Sequence, residues 1–147
     1  ANLVILGTAR EDSNTLKAIK RFCPFPEYEL IDLNEFKINH YSYDHSNNQN
    51  DDFEVIASKM READNIVFAT PVYWYAMSGV MKVFFDRLTD LLYLHKSLGK
   101  ALKGKNTFLI SSGSDQELPD GFEEPFRRTS KYFDMNYVRS YYLMINP

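Results

Sequence analysis

At 147 residues, 44% of them hydrophobic and 25% charged, the chain has the size and balance of one soluble globular domain spanning 1–147, not of a disordered or coiled-coil protein. A formal net charge of -3 argues against nucleic acid as a partner; no apolar run approaches the roughly 20 residues of a membrane span, no signal peptide precedes the first apolar run, and a cytoplasmic protein is expected. The single cysteine, Cys23, excludes an internal disulfide or a thiolate metal cage and reads as structural.

Leu3 to Leu6 is a continuous apolar run and predicts a first strand, ended by Gly7 and the polar segment TAREDSNT. Leu16, Ile19 and Phe22 then mark one helical stripe, which Cys23 to Pro26 breaks. Tyr28 to Leu33 alternates as a second strand. Asn34 to Asp52 is rich in Asn, Asp, Ser, His and Tyr without a usable period, so a long surface loop is expected, of the kind that is often functional. Phe53, Ile56, Ala57 and Met60 predict a second helix, and Ile66 to Ala69 a third strand buried on both faces, although so short an apolar run also fits buried helix.

Thr70 and Pro71 interrupt the chain, and Tyr73, Trp74 and Tyr75 follow before any helix can begin. Ser78 reads as the N-cap of a third helix whose stripe is Val80, Met81, Phe84, Phe85, Leu88, Leu91 and Leu92, with Lys82 and Asp86 paired on the wet side. Leu98 to Lys105 is a basic, glycine-punctuated connection to a fourth strand, Thr107 to Ile110, and SSGSDQELPDG is the loop after it. Phe122, Phe126, Thr129, Tyr132 and Phe133 supply a fourth helix, and Tyr137 to Ile145 a fifth strand. Alternating strands and helices imply an α/β, doubly wound, five-stranded parallel sheet in the order 2-1-3-4-5, whose loops after strands one, three and four meet at one carboxyl-end crevice.

Those loops carry the chemistry. Loop one holds neither GxGxxG nor GxxxxGK[ST], but Thr8, Ser13, Asn14 and Thr15 place hydroxyl and amide groups beside a helix N-terminus, and Arg10 adds a planar cation. A capping cluster alone explains Ser13 or Asn14, not Arg10 with Thr8, and together these residues can hold a phosphate dianion. Loop three presents three successive aromatics, a wall for a planar ligand, and loop four a small polar turn at Ser112-Gly113-Ser114. A phosphate tail with a flat ring describes flavin mononucleotide, FMN. No metal site is expected: His40 and His45 read as solvated loop residues, and His95 as a residue near a helix C-terminus.

From Leu3 through the fifth strand the sequence resembles the flavodoxin-like NAD(P)H-dependent FMN reductases and their quinone reductase relatives. GTAREDSNT is similar to that family's G-S-x-R-x-x-S-x-T phosphate loop, with Thr8 keeping the hydroxyl, and TPVYWYAMSGVMKVFFDRL to its loop-three signature. The resemblance implies that Thr8, Arg10, Ser13, Asn14 and Thr15 hold the FMN phosphate, that Pro71, Val72, Tyr73, Trp74 and Tyr75 line the ring, and that Ser112 and Gly113 approach its other side. It implies hydride transfer from NAD(P)H to FMN and onward to a quinone, flavin or similar small acceptor, with no catalytic side chain needed. A flavodoxin-type electron carrier or a non-catalytic flavin-binding regulatory module is the rival reading. The fifth helix normal to a flavodoxin-like fold is expected to be absent, since only Asn146 and Pro147 follow the last apolar run, the alternative being a truncated chain. A homo-oligomer, in the simplest case a homodimer, is therefore expected to bury either the bare sheet face or the Tyr41 to Asp52 loop, which the resemblance places near a flavin.

Overall fold

The protein is described by a computed structural model over residues 1–9 and 13–146. Its centre is β1 (Asn2–Leu6), flanked by β2 (Glu29–Asp32) and β3 (Asn65–Pro71); β4 (Asn106–Gly113) and β5 (Asn136–Met144) continue the sheet. All pairings are parallel and the order is β2-β1-β3-β4-β5. In β3 every residue from Ile66 to Pro71 is buried, as both-face coverage requires.

Helices divide unequally between the two faces. On one, α2 (Phe53–Glu62), α3 (Gly79–Arg87) and α6 (Glu124–Tyr132) pack Phe53, Ile56, Met60, Met81, Phe84 and Phe126 over Leu3, Ile5, Ile66, Phe68 and Leu109. On the other, α1 (Asn14–Phe22) lays Ala18 and Ile19 on Val4, Leu6, Val67 and Ile110. The expected bare patch is not found on these inner strands, because Val4, Val67, Ala69 and Ile110 are all fully buried. The last residue of α1 and the segment leaving it finish the cover: Phe22 stacks on Tyr141 with ring centres 5.6 Å apart, and Phe25 meets Phe108 edge-on at 5.4 Å. No helix follows β5 among the described residues.

Three boundaries differ from the sequence reading. The long third helix is two pieces, α3 and the single turn α4 (Asp90–Tyr93), because the Thr89 hydroxyl donates to the Asp86 carbonyl at 2.8 Å and competes with the helical ladder. The basic connection begins as a further short helix, α5 (Lys96–Lys100). Strand β4 runs on through Ser111, Ser112 and Gly113, which are paired with Thr70 and Pro71 on one side and with Tyr142, Leu143 and Met144 on the other.

At the amino ends of the strands lies a device the sequence did not suggest. Asn2, Asn65, Asn106 and Asn136 stand in register on four neighbouring strands. The Asn65 amide donates to the Asn2 side-chain oxygen at 2.8 Å, Asn106 to Asn65 at 3.1 Å and Asn136 to Asn106 at 3.5 Å, while Asn2 donates to the Glu27 carbonyl at 3.0 Å. The result is an asparagine ladder across the sheet.

Candidate functional site

The carboxyl ends of β1, β3 and β4 are welded together before any ligand is considered. Gly7, just after β1, lets the start of α3 approach: a Cβ there would stand 3.0 Å from Met81 Cβ. Across this contact the Ser78 hydroxyl donates to the Gly7 carbonyl at 2.7 Å and accepts from Met81 N at 3.1 Å, the capping role its position predicted. Its own N–H donates to the Thr70 hydroxyl at 2.9 Å. The backbone of β3 is carried on by Val72 N, which donates to Ser112 O at 2.8 Å.

Above this weld the loops enclose an open crevice of about 610 Å3. From loop one it is lined by Thr8, Ser13, Asn14 and Thr15, from loop three by Pro71, Val72 and Tyr73, and from the end of β4 by Ser112 and Gly113. These predicted residues therefore converge. Ser114, of the loop-four turn, lines it too, as do Ile145 and Asn146, which were missed. The signal that could have found the last two is their place directly after a strand beside β4, where Ile145 N donates to Gly113 O at 2.7 Å. Arg10 lies outside the described residues, as do Glu11 and Asp12.

Within the crevice the polar groups are arranged. Ser13 is the N-cap of α1, its hydroxyl accepting from Leu16 N at 3.0 Å, so the first turn of that helix presents its N–H groups at the loop-one wall. Thr15 Oγ1 and Ser112 Oγ are 3.0 Å apart and buried, tying loop one to β4. One of these hydroxyls must donate to the other, so the pair keeps one donor proton for a ligand. Thr8 Oγ1 stands 3.5 Å from the Tyr73 hydroxyl, and the Asn34 amide donates to the Thr8 carbonyl, fixing the loop from β2's side. The lining is thus hydroxyl and amide on one side, with Pro71, Val72 and Tyr73 as the apolar wall, a combination able to hold a phosphate and a flat ring. Gly113 suits that use, since a Cβ there would crowd Val72 Cβ at 3.2 Å.

Trp74 and Tyr75 are placed differently from the expectation. They form the centre of a tight turn closed by Tyr73 N to Ala76 O at 2.9 Å and Ala76 N to Tyr73 O at 3.2 Å. Both have left-handed backbones, φ 50° and 69°, which bulky residues adopt only at a cost. The turn carries their rings outward, and Trp74 is 91% exposed. Neither lines the crevice; both sit beside Tyr73 at its mouth.

The Asn34 to Asp52 segment is a loop, as expected after a short 3-10 turn, but a buried cation holds it. Arg87 forms ion pairs with Asp51 and with Asp90, the latter at 2.9 Å, donates to the Asn39 carbonyl at 2.9 Å, and lies 4.9 Å from the Phe53 ring centre. Asn48 joins by donating to Asp90 at 3.0 Å, with His45 Nδ1 3.1 Å away. Burial alone would push the Asp51 carboxyl up, but the Arg87 hydrogen bond and the Asn39 and Phe53 N–H groups outweigh it and hold it below the ordinary carboxylate range. On the loop's outer side Tyr41 and Tyr43 meet edge-on at 5.4 Å, and Tyr93 of α4 approaches His45 at 5.9 Å. Among the described residues no helix is long and apolar enough to cross a membrane, and no group of His, Cys, Asp and Glu could hold a metal ion.

Residues 2–147 match the protein family described as NADPH-dependent FMN reductase. The chain is similar to an NADPH azoreductase of Bacillus sp. (strain OY1-2), at 31% identity over 94 residues, 64% of this chain and 53% of that protein. In general it spans about half the length, or less, of the curated relatives it matches. Among solved structures it is similar to the Trp repressor binding protein from Bacillus subtilis, with a TM-score of 0.79 and 22% identity, covering 99% of this chain and 85% of that one. It is also similar to the general stress protein 14 of Treponema denticola, solved in complex with FMN, with a TM-score of 0.68 and 18% identity, covering 97% and 85%. Both likenesses are of fold.

Proposed function

The chain belongs to the NADPH-dependent FMN reductase family, and we propose from this premise that it holds FMN in the carboxyl-end crevice as an oxidoreductase. The reading is carried by one observation: side chains from three separate loops, chosen for a phosphate and a flat ring, converge on a single crevice bridged by Thr15 and Ser112. When bound, FMN would supply the ring that takes a hydride from NAD(P)H and passes electrons to a quinone, flavin or similar small acceptor. The protein's part is positional. Thr8, Ser13, Asn14, Thr15 and the first turn of α1 would hold the phosphate, and Arg10 would add its planar cation. Pro71, Val72 and Tyr73 would line the ring, with Ser112 and Gly113 meeting it from the neighbouring strand end and not from the opposite side. Trp74 and Tyr75, at the mouth, would exclude water from the ring's open side. No side chain need act as acid, base or nucleophile.

Self-association belongs to the same reading. The exposed rings of Tyr43 and Tyr93 on the loop and α4, not the covered sheet face, are the surface by which a homodimer would form. A cytoplasmic protein suits such chemistry.

Mixing purified protein with FMN and following visible absorbance and flavin fluorescence tests the reading, and absence of binding refutes it. Stopped-flow mixing of the complex with NADPH and NADH then separates functions. Fast bleaching supports a reductase; a complex that neither nucleotide bleaches is an electron carrier or a regulatory module.

A further inference from the structure

The edge of the crevice formed by Ser112 and Gly113 is supported from behind by a residue outside its lining. Tyr142 lies on β5 in register with Ser111, and its hydroxyl donates to the Asp115 carbonyl at 2.7 Å. The same oxygen stands 2.9 Å from where a Cβ on Gly113 would lie, while Val72 Cβ stands 3.2 Å from that point. Gly113 is therefore wedged between the apolar wall and the Tyr142 hydroxyl. Before this point the chain is tied by Val72 N to Ser112 O and Ile145 N to Gly113 O; beyond it, the Tyr142 hydroxyl takes over. Burial and the nearby Asp115 carboxylate push the Tyr142 phenol above its ordinary range, so the donor proton is retained at neutral pH.

We infer that Tyr142 is a positioning residue: its hydroxyl, bonded to Asp115 and packed against Gly113, fixes where the Gly113–Asp115 end of β4 stands at the crevice rim beside the Pro71–Tyr73 wall, and so how well that rim meets a flat flavin ring. The grip on flavin rests on the FMN reading above; the hold on the loop does not.

Three measurements on the full chain test this. In the ligand-free protein Tyr142→Phe should speed amide hydrogen exchange at Ile145, whose N–H donates to Gly113 O, while Leu109 and Ile110 keep their protection. In titrations followed by flavin fluorescence the same variant should bind FMN about two- to ten-fold more weakly, as losing one modest hydrogen bond implies, and riboflavin should weaken equally because the phosphate contacts are untouched. Gly113→Ala should also weaken FMN, and adding Tyr142→Phe to it should restore part of the loss by removing the 2.9 Å contact. A merely structural tyrosine would add its own loss instead. Unchanged exchange in Tyr142→Phe, unchanged FMN affinity, or additive losses in the double variant each overturn the inference. A parent protein that binds no flavin, with the exchange response intact, overturns the flavin reading and leaves the hold on the loop established.

Discussion

Arg87 keeps a full charge at 1% exposure, and its compensation comes from the loop, through Asp51 and the Asn39 carbonyl, as much as from Asp90 of the next turn, α4. Arg87→Met would strand Asp51 and Asp90, a loss of about 3 to 5 kcal/mol in urea unfolding, and Arg87→Lys should recover little of it because an ammonium lacks the planar fork. The pH dependence has a definite sign. Because Asp51 is depressed in the folded state, its contribution is complete above the unfolded value near 4 and is lost as pH falls through the folded one. Loop cleavage by a protease active in acid should therefore accelerate only below about pH 4. At the crevice, Arg10→Ala should weaken FMN by about 1.5 to 3 kcal/mol and riboflavin hardly at all, since only FMN carries a phosphate; equal weakening would remove the phosphate from loop one. Trp74 presents the opposite case. Its left-handed backbone costs about 1 kcal/mol or more, so Trp74→Gly should raise the urea midpoint, even while it strips an aromatic from the mouth.

Among the elements, the asparagine ladder is the most informative, because asparagine usually marks turns and is depleted in strands. Asn65→Ala would leave the Asn2 oxygen and the Asn106 amide without their partner, a cost of about 1 to 2 kcal/mol measurable by urea unfolding with an unchanged slope. Nothing in a single sequence shows that four asparagines spaced far apart share one row; only register does. The same limit explains β4. Ser111, Ser112 and Gly113 look like a turn from their residue types, but two paired neighbours extend the ladder through them. Elements with their own periodic signal were legible: Phe53, Ile56, Ala57 and Met60 face the core as their spacing predicts. So was the place at the crevice of loop-one and loop-three residues such as Ser13 and Tyr73. Trp74 and Tyr75 were not, since whether an aromatic lines a wall or leaves it depends on the turn that carries it.

For the molecule as a whole, covering of the sheet by α1, Phe22 and Phe25 moves the expected contact between copies to the loop carrying Tyr41 and Tyr43 and to Tyr93. Light scattering after size exclusion at micromolar concentration should give about twice the 17.2 kDa chain mass. Tyr93→Glu, at a residue 61% exposed, should shift that value toward the single chain without unfolding it. The asparagine ladder has a further consequence at this scale. It pins the strands at their amino ends, while the crevice lies beyond their carboxyl ends, about 20 Å away along the seven residues of β3. Register is thus fixed at the end of the sheet away from the crevice. Loops one, three and four can accordingly be randomised together in a directed-evolution library for new planar ligands, with the parallel alignment of the sheet carried unchanged from one variant to the next.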